Sequence, residues 1–106
     1  RDFFLRFDLD SGRYWIEARD MSEDDRFFAR ENGTRLQGDV RISDIWLESR
    51  GTISGGDVSI AVTRKGYVQP SAIHLKDDSG REFTLRFRPF LPKEQFFNEY
   101  IDFREW

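Results

Sequence analysis

The chain has no cysteine, one histidine, one methionine and three prolines in 106 residues. Without cysteine there are no disulfides, no thiolate metal sites and no thiol nucleophile, and the redox compartment is left open. A single histidine, His74, is too few for a zinc centre built on imidazoles. Any Ser-His-Asp arrangement has to use it, and no serine sits in a Gly-x-Ser-x-Gly elbow. Neither a G-x-G-x-x-G nor a G-x-x-x-x-G-K-[ST] phosphate loop occurs. Gly51, Gly55 and Gly56 therefore read as flexible loop positions, and Arg50-Gly51 and Gly55-Gly56 bracket a loop or a short strand. No apolar run approaches the roughly 20 residues that span a bilayer, and no secretory leader is visible. Positive charge is not in excess: the net charge is −3, which gives no general attraction to a phosphate backbone and disfavours nucleic acid as a partner. The chain opens on Arg1 and not Met, and it reads as a piece of a longer protein whose N-terminal part is absent.

What the sequence has in quantity is aromatic area. Eleven phenylalanines, three tryptophans and three tyrosines can each bury about 150–250 Å². A chain of this length reads as one domain over residues 1–106, able to form a core without a covalent staple. Alternation of period two runs from end to end, the mark of strands with one oily face. Phe3, Leu5, Phe7 and Leu9 share a face. Asp10-Ser11-Gly12 supplies turn chemistry, and Tyr14, Ile16 and Ala18 answer on the returning strand, so the pair predicts a β-hairpin. Residues 20–38 form a long connection with a helical turn near Ser22–Arg30, capped by Ser22 with Asp25 in the third position. Val40 and Ile42 are out of phase with Ile45 and Leu47, and a bulge at Ser43-Asp44 would return both pairs to one face. Strands through Val58–Val62, Ile73–Leu75, Phe83–Phe87 and a final edge strand within 94–103 complete a count of about seven. The expected fold is mostly β: an antiparallel, two-sheet, sandwich-like domain.

No catalytic residue and no cofactor site emerges from this pattern. His74, between Ile73 and Leu75, points away from their apolar face and is expected on the surface. Asp8-x-Asp10-x-Gly12 matches only the opening of a calcium loop and lacks its later ligands, so Asp8 and Asp10 read first as turn residues. Lys76, Arg81, Arg86 and Arg88 make a candidate basic strip, interrupted by Glu82. Trp15 and Trp46 lie opposite the apolar faces of their strands. They are candidate interface anchors unless the 20–38 connection covers that face and makes them core. Phe96, Phe97 and Tyr100 in the last strand are further interface candidates.

Two segments carry a family likeness: Leu5-Arg6-Phe7-Asp8-Leu9-Asp10-Ser11-Gly12-Arg13-Tyr14-Trp15, and Arg64-Lys65-Gly66-Tyr67-Val68-Gln69-Pro70-Ser71-Ala72-Ile73-His74-Leu75 continuing through Asp78-Ser79-Gly80-Arg81 to Phe83-Thr84-Leu85. Through them the chain resembles the periplasmic domain of a minor pseudopilin of the type II secretion system, of the type IV pilin-like GspH/FimT group. Phe90-Leu91-Pro92-Lys93 departs from the glycine-containing turn many such domains carry there. The resemblance implies a structural subunit of a short pilus-like fibre that acts through contacts with other pseudopilin subunits in protein export. An N-terminal pilin helix, absent from this chain, would anchor it in the inner membrane with the globular domain in the periplasm. It also implies that an apolar sheet face, normally covered by that helix, stands open here. Two other readings stay open: a stand-alone carbohydrate- or peptide-binding β module using Trp15 and Trp46, and a FimT-like DNA-uptake minor pilin using the basic strip.

Overall fold

The computed structural model describes residues 2–89 and 94–103. The first hairpin forms as the alternation requires. β1 (Phe3–Asp8) pairs antiparallel with β2 (Arg13–Ala18), Leu5 opposite Ile16 and Phe7 opposite Tyr14. Asp8 Oδ1 accepts from the amides of Asp10 (3.1 Å) and Ser11 (3.3 Å), and Gly12 takes the left-handed φ of 72° that closes the turn. The connection then winds into α1 (Glu23–Glu31). Ser22 caps it by accepting from the Asp25 amide at 3.2 Å, and Glu23, Asp24 and Asp25 place negative charge on the first turn.

The rest of the chain is strand and turn: β3 (Thr34–Arg35), β4 (Arg41–Leu47), β5 (Gly51–Ile53), β6 (Asp57–Val62), β7 (Ser71–Lys76), β8 (Glu82–Phe87) and β9 (Gln95–Phe97). They form a four-stranded sheet, order β3-β2-β1-β6, and a five-stranded sheet, order β5-β4-β7-β8-β9. Every named strand pair is antiparallel, so the two-sheet antiparallel fold stands. Nine strands appear among the described residues, beside the about seven expected. The two additions, β3 and β5, have two and three residues, too few for alternation to show. The edge strand expected within 94–103 pairs only at Gln95–Phe97. The Phe90–Lys93 departure lies outside the described residues.

The bulge is where the phase slip placed it. The register of β4 on β7 jumps between Ile42 and Asp44, which keeps Ile42, Ile45 and Leu47 on the apolar side and turns Asp44 and Trp46 to the other. The core lies between the sheets, where Phe7, Val58 and Ile60 of one pack on Ile45, Leu47 and Ile73 of the other. Burial of each such side chain stabilises by about 1.5–3 kcal/mol.

This core is closed over β6 and β4 and open over β2. Ile16 lies on the same inward row as Leu5 and Ile60, yet Ile60 is 1% exposed and Ile16 is 62% exposed. A wholly apolar groove of about 220 Å³ runs between the sheets there, lined by Leu5, Phe7 and Tyr14 on one side and Leu75, Leu85 and Phe87 on the other. A second apolar hollow of about 290 Å³, lined by Phe3, Phe4, Leu5, Ile16 and Val62, continues it to the sheet end. Among the described residues, no helix is long and apolar enough to cross a membrane.

Candidate interaction surfaces

Three surfaces concentrate the polar and aromatic side chains: the outer face of each sheet, and the open groove. On the four-stranded sheet, alternation turns Arg6, Asp8, Trp15, Glu17 and Asp57 outward, and α1 lies across them. Glu17 is 3% exposed. Its carboxylate accepts from Trp15 Nε1 at 2.8 Å and from Arg26 Nη1 at 2.8 Å, and Arg6 Nη1 stands 3.6 Å away. Arg30 spans Asp57 at 2.9 Å and Asp8 at 3.4 Å, with its guanidinium 5.3 Å from the Trp15 ring centre. Asp57 holds the Arg30 guanidinium above its ordinary pKa. Gly33 completes the fit, since a Cβ there would stand 3.1 Å from the Trp15 ring.

Trp15 is therefore corrected as an interface anchor. At 6% exposure it is core, covered by the 20–38 connection. Asp8 and Asp10 are turn residues in this structure. Burial pushes the Asp8 pKa up, but the Ser11 and Asp10 donors and the Arg30 charge outweigh it and leave the group below its ordinary value. Asp10 Oδ1 accepts from the Gly56 amide at 3.3 Å. Among the described residues, no three His, Asp or Glu side chains cluster as metal ligands.

The outer face of the five-stranded sheet overturns the expectation for His74. The ring does point away from the apolar core, but it is 1% exposed. Asp44, aimed outward by the bulge, meets Nδ1. The Ile101 carbonyl meets Nε2 at 2.7 Å, and the Tyr100 ring stacks on the imidazole with centroids 3.8 Å apart. Tyr100 donates its hydroxyl to Asp44 Oδ2 at 2.9 Å. Both ring nitrogens meet an oxygen, one of the Asp44 carboxylate and one of the Ile101 carbonyl. Neither nitrogen is left facing solvent, so the pair has the form of an acid–base dyad without an open site.

The cover is residues 99–103, which leave the sheet after β9 and cross its outer face. Thr84 Oγ1 donates to the Glu99 carbonyl at 2.7 Å and accepts from the Ile101 amide at 3.0 Å. Phe103, 2% exposed, lies 5.0 Å from the Trp46 ring and 4.9 Å from the Arg86 guanidinium. Trp46 is thus half-buried against Phe103 and is not a bare platform. Of the other interface candidates, Phe96 is exposed, Phe97 is half-buried, and Tyr100 is 38% exposed with its hydroxyl engaged.

The basic strip is not one patch. Arg81 pairs with Asp77 at 3.0 Å, Lys76 stands opposite Glu82, and Arg86 faces Phe103. Burial, with the nearby Arg88 charge, lowers the pKa of Arg86. Arg88 is exposed.

Two surface features were not singled out from the sequence. One is the place of the groove opening, at Ile16: the resemblance implies an open apolar face, but even alternation gives no sign of which strand it lies over. The other is the pair Phe27 and Phe28, 66% and 68% exposed on the outside of α1. Their helix turns Arg26 and Arg30 inward, and so carries its aromatic residues outward. No family model matches the chain, and neither a curated protein nor a solved structure was found that matches it.

Proposed function

We propose that this domain is a structural subunit of a type II secretion pseudopilus, or of a related type IV pilus-like fibre, and that it works through contacts between proteins. One observation carries the reading: an inward sheet row that is closed at Ile60 and open at Ile16. Two apolar hollows that share Leu5 lie along that row. An apolar face inside a sandwich is costly to leave in water, because each Å² exposed forgoes about 25 cal/mol. Such a surface marks a seat for another element, and a helix of the pilin kind would offer it an apolar face. The His74–Asp44 pair closed beneath residues 99–103 agrees with a subunit that makes no bonds in substrates.

The two alternatives lose support from particular residues. A sugar platform built on Trp15 and Trp46 has one ring beneath α1 and the other against Phe103. A DNA-uptake strip has Arg81 and Arg86 committed to Asp77 and Phe103.

The test is a pull-down of the intact protein against a panel of pseudopilins, with Ile16→Glu as the disrupting variant. Ile16 is the informative position, since Trp15→Ala would damage the fold. We expect specific capture that Ile16→Glu weakens at least tenfold while the melting temperature is held. No capture of any panel member by the unsubstituted protein refutes the proposal.

A further inference from the structure

Residues 99–103 are bound to the outer face of the five-stranded sheet as a peptide ligand is bound to a receptor. They add no strand to the sheet. Their backbone is recognised by side chains: Thr84 reads the Glu99 carbonyl and the Ile101 amide, and His74 reads the Ile101 carbonyl. Two aromatic residues three apart anchor them. Tyr100 stacks on His74 and reaches Asp44, and Phe103 rests between Trp46 and Arg86. Between those last two, in register, lies Ala72, fully buried and small enough to leave the ring its place.

The receptor side is set up independently of this segment. Asp44 is oriented by the bulge, which Ser43 supports by donating its hydroxyl to the His74 carbonyl at 3.1 Å. His74 and Thr84 sit on the two central strands, in register with each other and with Asp44. Main-chain bonds supply affinity for any extended segment, and the two aromatic seats supply selectivity. Asp44, His74 and Thr84 lose these partners when the face is bare and exchange them for water, so an occupant with matching groups is favoured.

We propose that this face is a peptide-binding site, held in cis by the chain's own segment, whose ligand class is an extended peptide of the form Tyr-x-x-Phe. The inference does not depend on the fibre reading. A segment in trans with the same two aromatics satisfies the same donors and acceptors, and it competes with a resident ligand tethered at high effective concentration.

The test uses the full chain carrying Tyr100→Ala and Phe103→Ala, which vacates both seats. Its ligand is a capped six-residue peptide of sequence Asn-Glu-Tyr-Ile-Asp-Phe, matching residues 98–103. Tryptophan fluorescence should report saturable binding through Trp46. Adding His74→Ala to the protein, or replacing the peptide's tyrosine by alanine, should weaken binding at least tenfold. If the doubly substituted chain does not fold alone, the peptide should restore its near-ultraviolet circular dichroism. A folded variant that shows no saturable change up to millimolar peptide overturns the proposal. So does an affinity indifferent to His74, or an unfolded variant that the peptide does not rescue.

Discussion

The two sheets present the same problem on their outer faces and solve it with different materials. Each turns a tryptophan and a carboxylate outward, Trp15 with Glu17 on one and Trp46 with Asp44 on the other. On the four-stranded sheet the cover is a helix held by arginines: Arg26 to Glu17, and Arg30 to Asp57 and Asp8. On the five-stranded sheet the cover is an extended segment held by one imidazole, one threonine and ring stacking. The difference lies in water. Arg30 and Asp57 are 36% and 38% exposed, whereas His74 is sealed. The helix is fastened in part by charges that solvent and salt can reach, the segment around an imidazole that they cannot.

The sharpest way to break the symmetry is His74→Ala. It removes the ring that meets both Asp44 and the Ile101 carbonyl and leaves a mostly buried carboxylate without that partner. A loss of about 3 kcal/mol is expected in urea unfolding, with a melting temperature lower by roughly 12 °C or more. On the helix side the matching change is Glu17→Gln. It keeps the shape and removes the charge that faces Arg26 and Arg6, and it should cost about 2 kcal/mol. Hydrogen exchange should then quicken in α1 while the amides of 99–103 keep their protection.

Salt separates the covers more gently. At 1 M salt the screening length falls to about 3 Å. Amide exchange in α1 should rise severalfold over its low-salt rate while that of Ile101 stays constant. Equal response of the two covers would show that the arginine pairs do not fasten the helix.

Acid probes the turns beneath both sheets. Hydrogen bonds from Ser79 and Arg81 hold the Asp77 carboxyl below its ordinary 3.8, and Asp8 is lowered as well. For a group whose folded value is depressed, the stabilisation is complete above the unfolded value. It is lost as pH falls through the folded one. The part of the stability that these two carboxylates supply should therefore be complete above about pH 5 and decline below about pH 4. Asp77→Asn should flatten that decline. The smallest effect belongs to Phe27→Ser with Phe28→Ser, which should change stability by less than about 0.5 kcal/mol each.

Much of this was legible where the physics is local. The Asp10-Ser11-Gly12 turn, the Ser22 cap and the phase slip at Ser43-Asp44 are each decided within a few residues, and the structure has all three. Alternation also placed His74, Trp15 and Trp46 on the correct faces. It could not say which faces are covered, because a period of two reports direction and not what lies beyond. The 20–38 connection was a visible candidate cover for Trp15. The cover of His74 was not visible, since Tyr100-Ile101-Asp102-Phe103 reads equally well as the end of a strand. Its departure from the sheet depends on partners 15 to 56 residues away in sequence.

The margins of the two sheets constrain how copies of this molecule can join. Three of the four outermost strands are two or three residues long. The fourth, β6, has its outer backbone engaged by its own chain: the Ala61 amide donates to the Gln69 side chain, and the Gln69 amide donates to the Ala61 carbonyl. Among the described residues, short margins on three sides and an edge strand engaged at Ala61 leave few places on which a neighbour's strand could lay itself down. These margins favour joining through side chains.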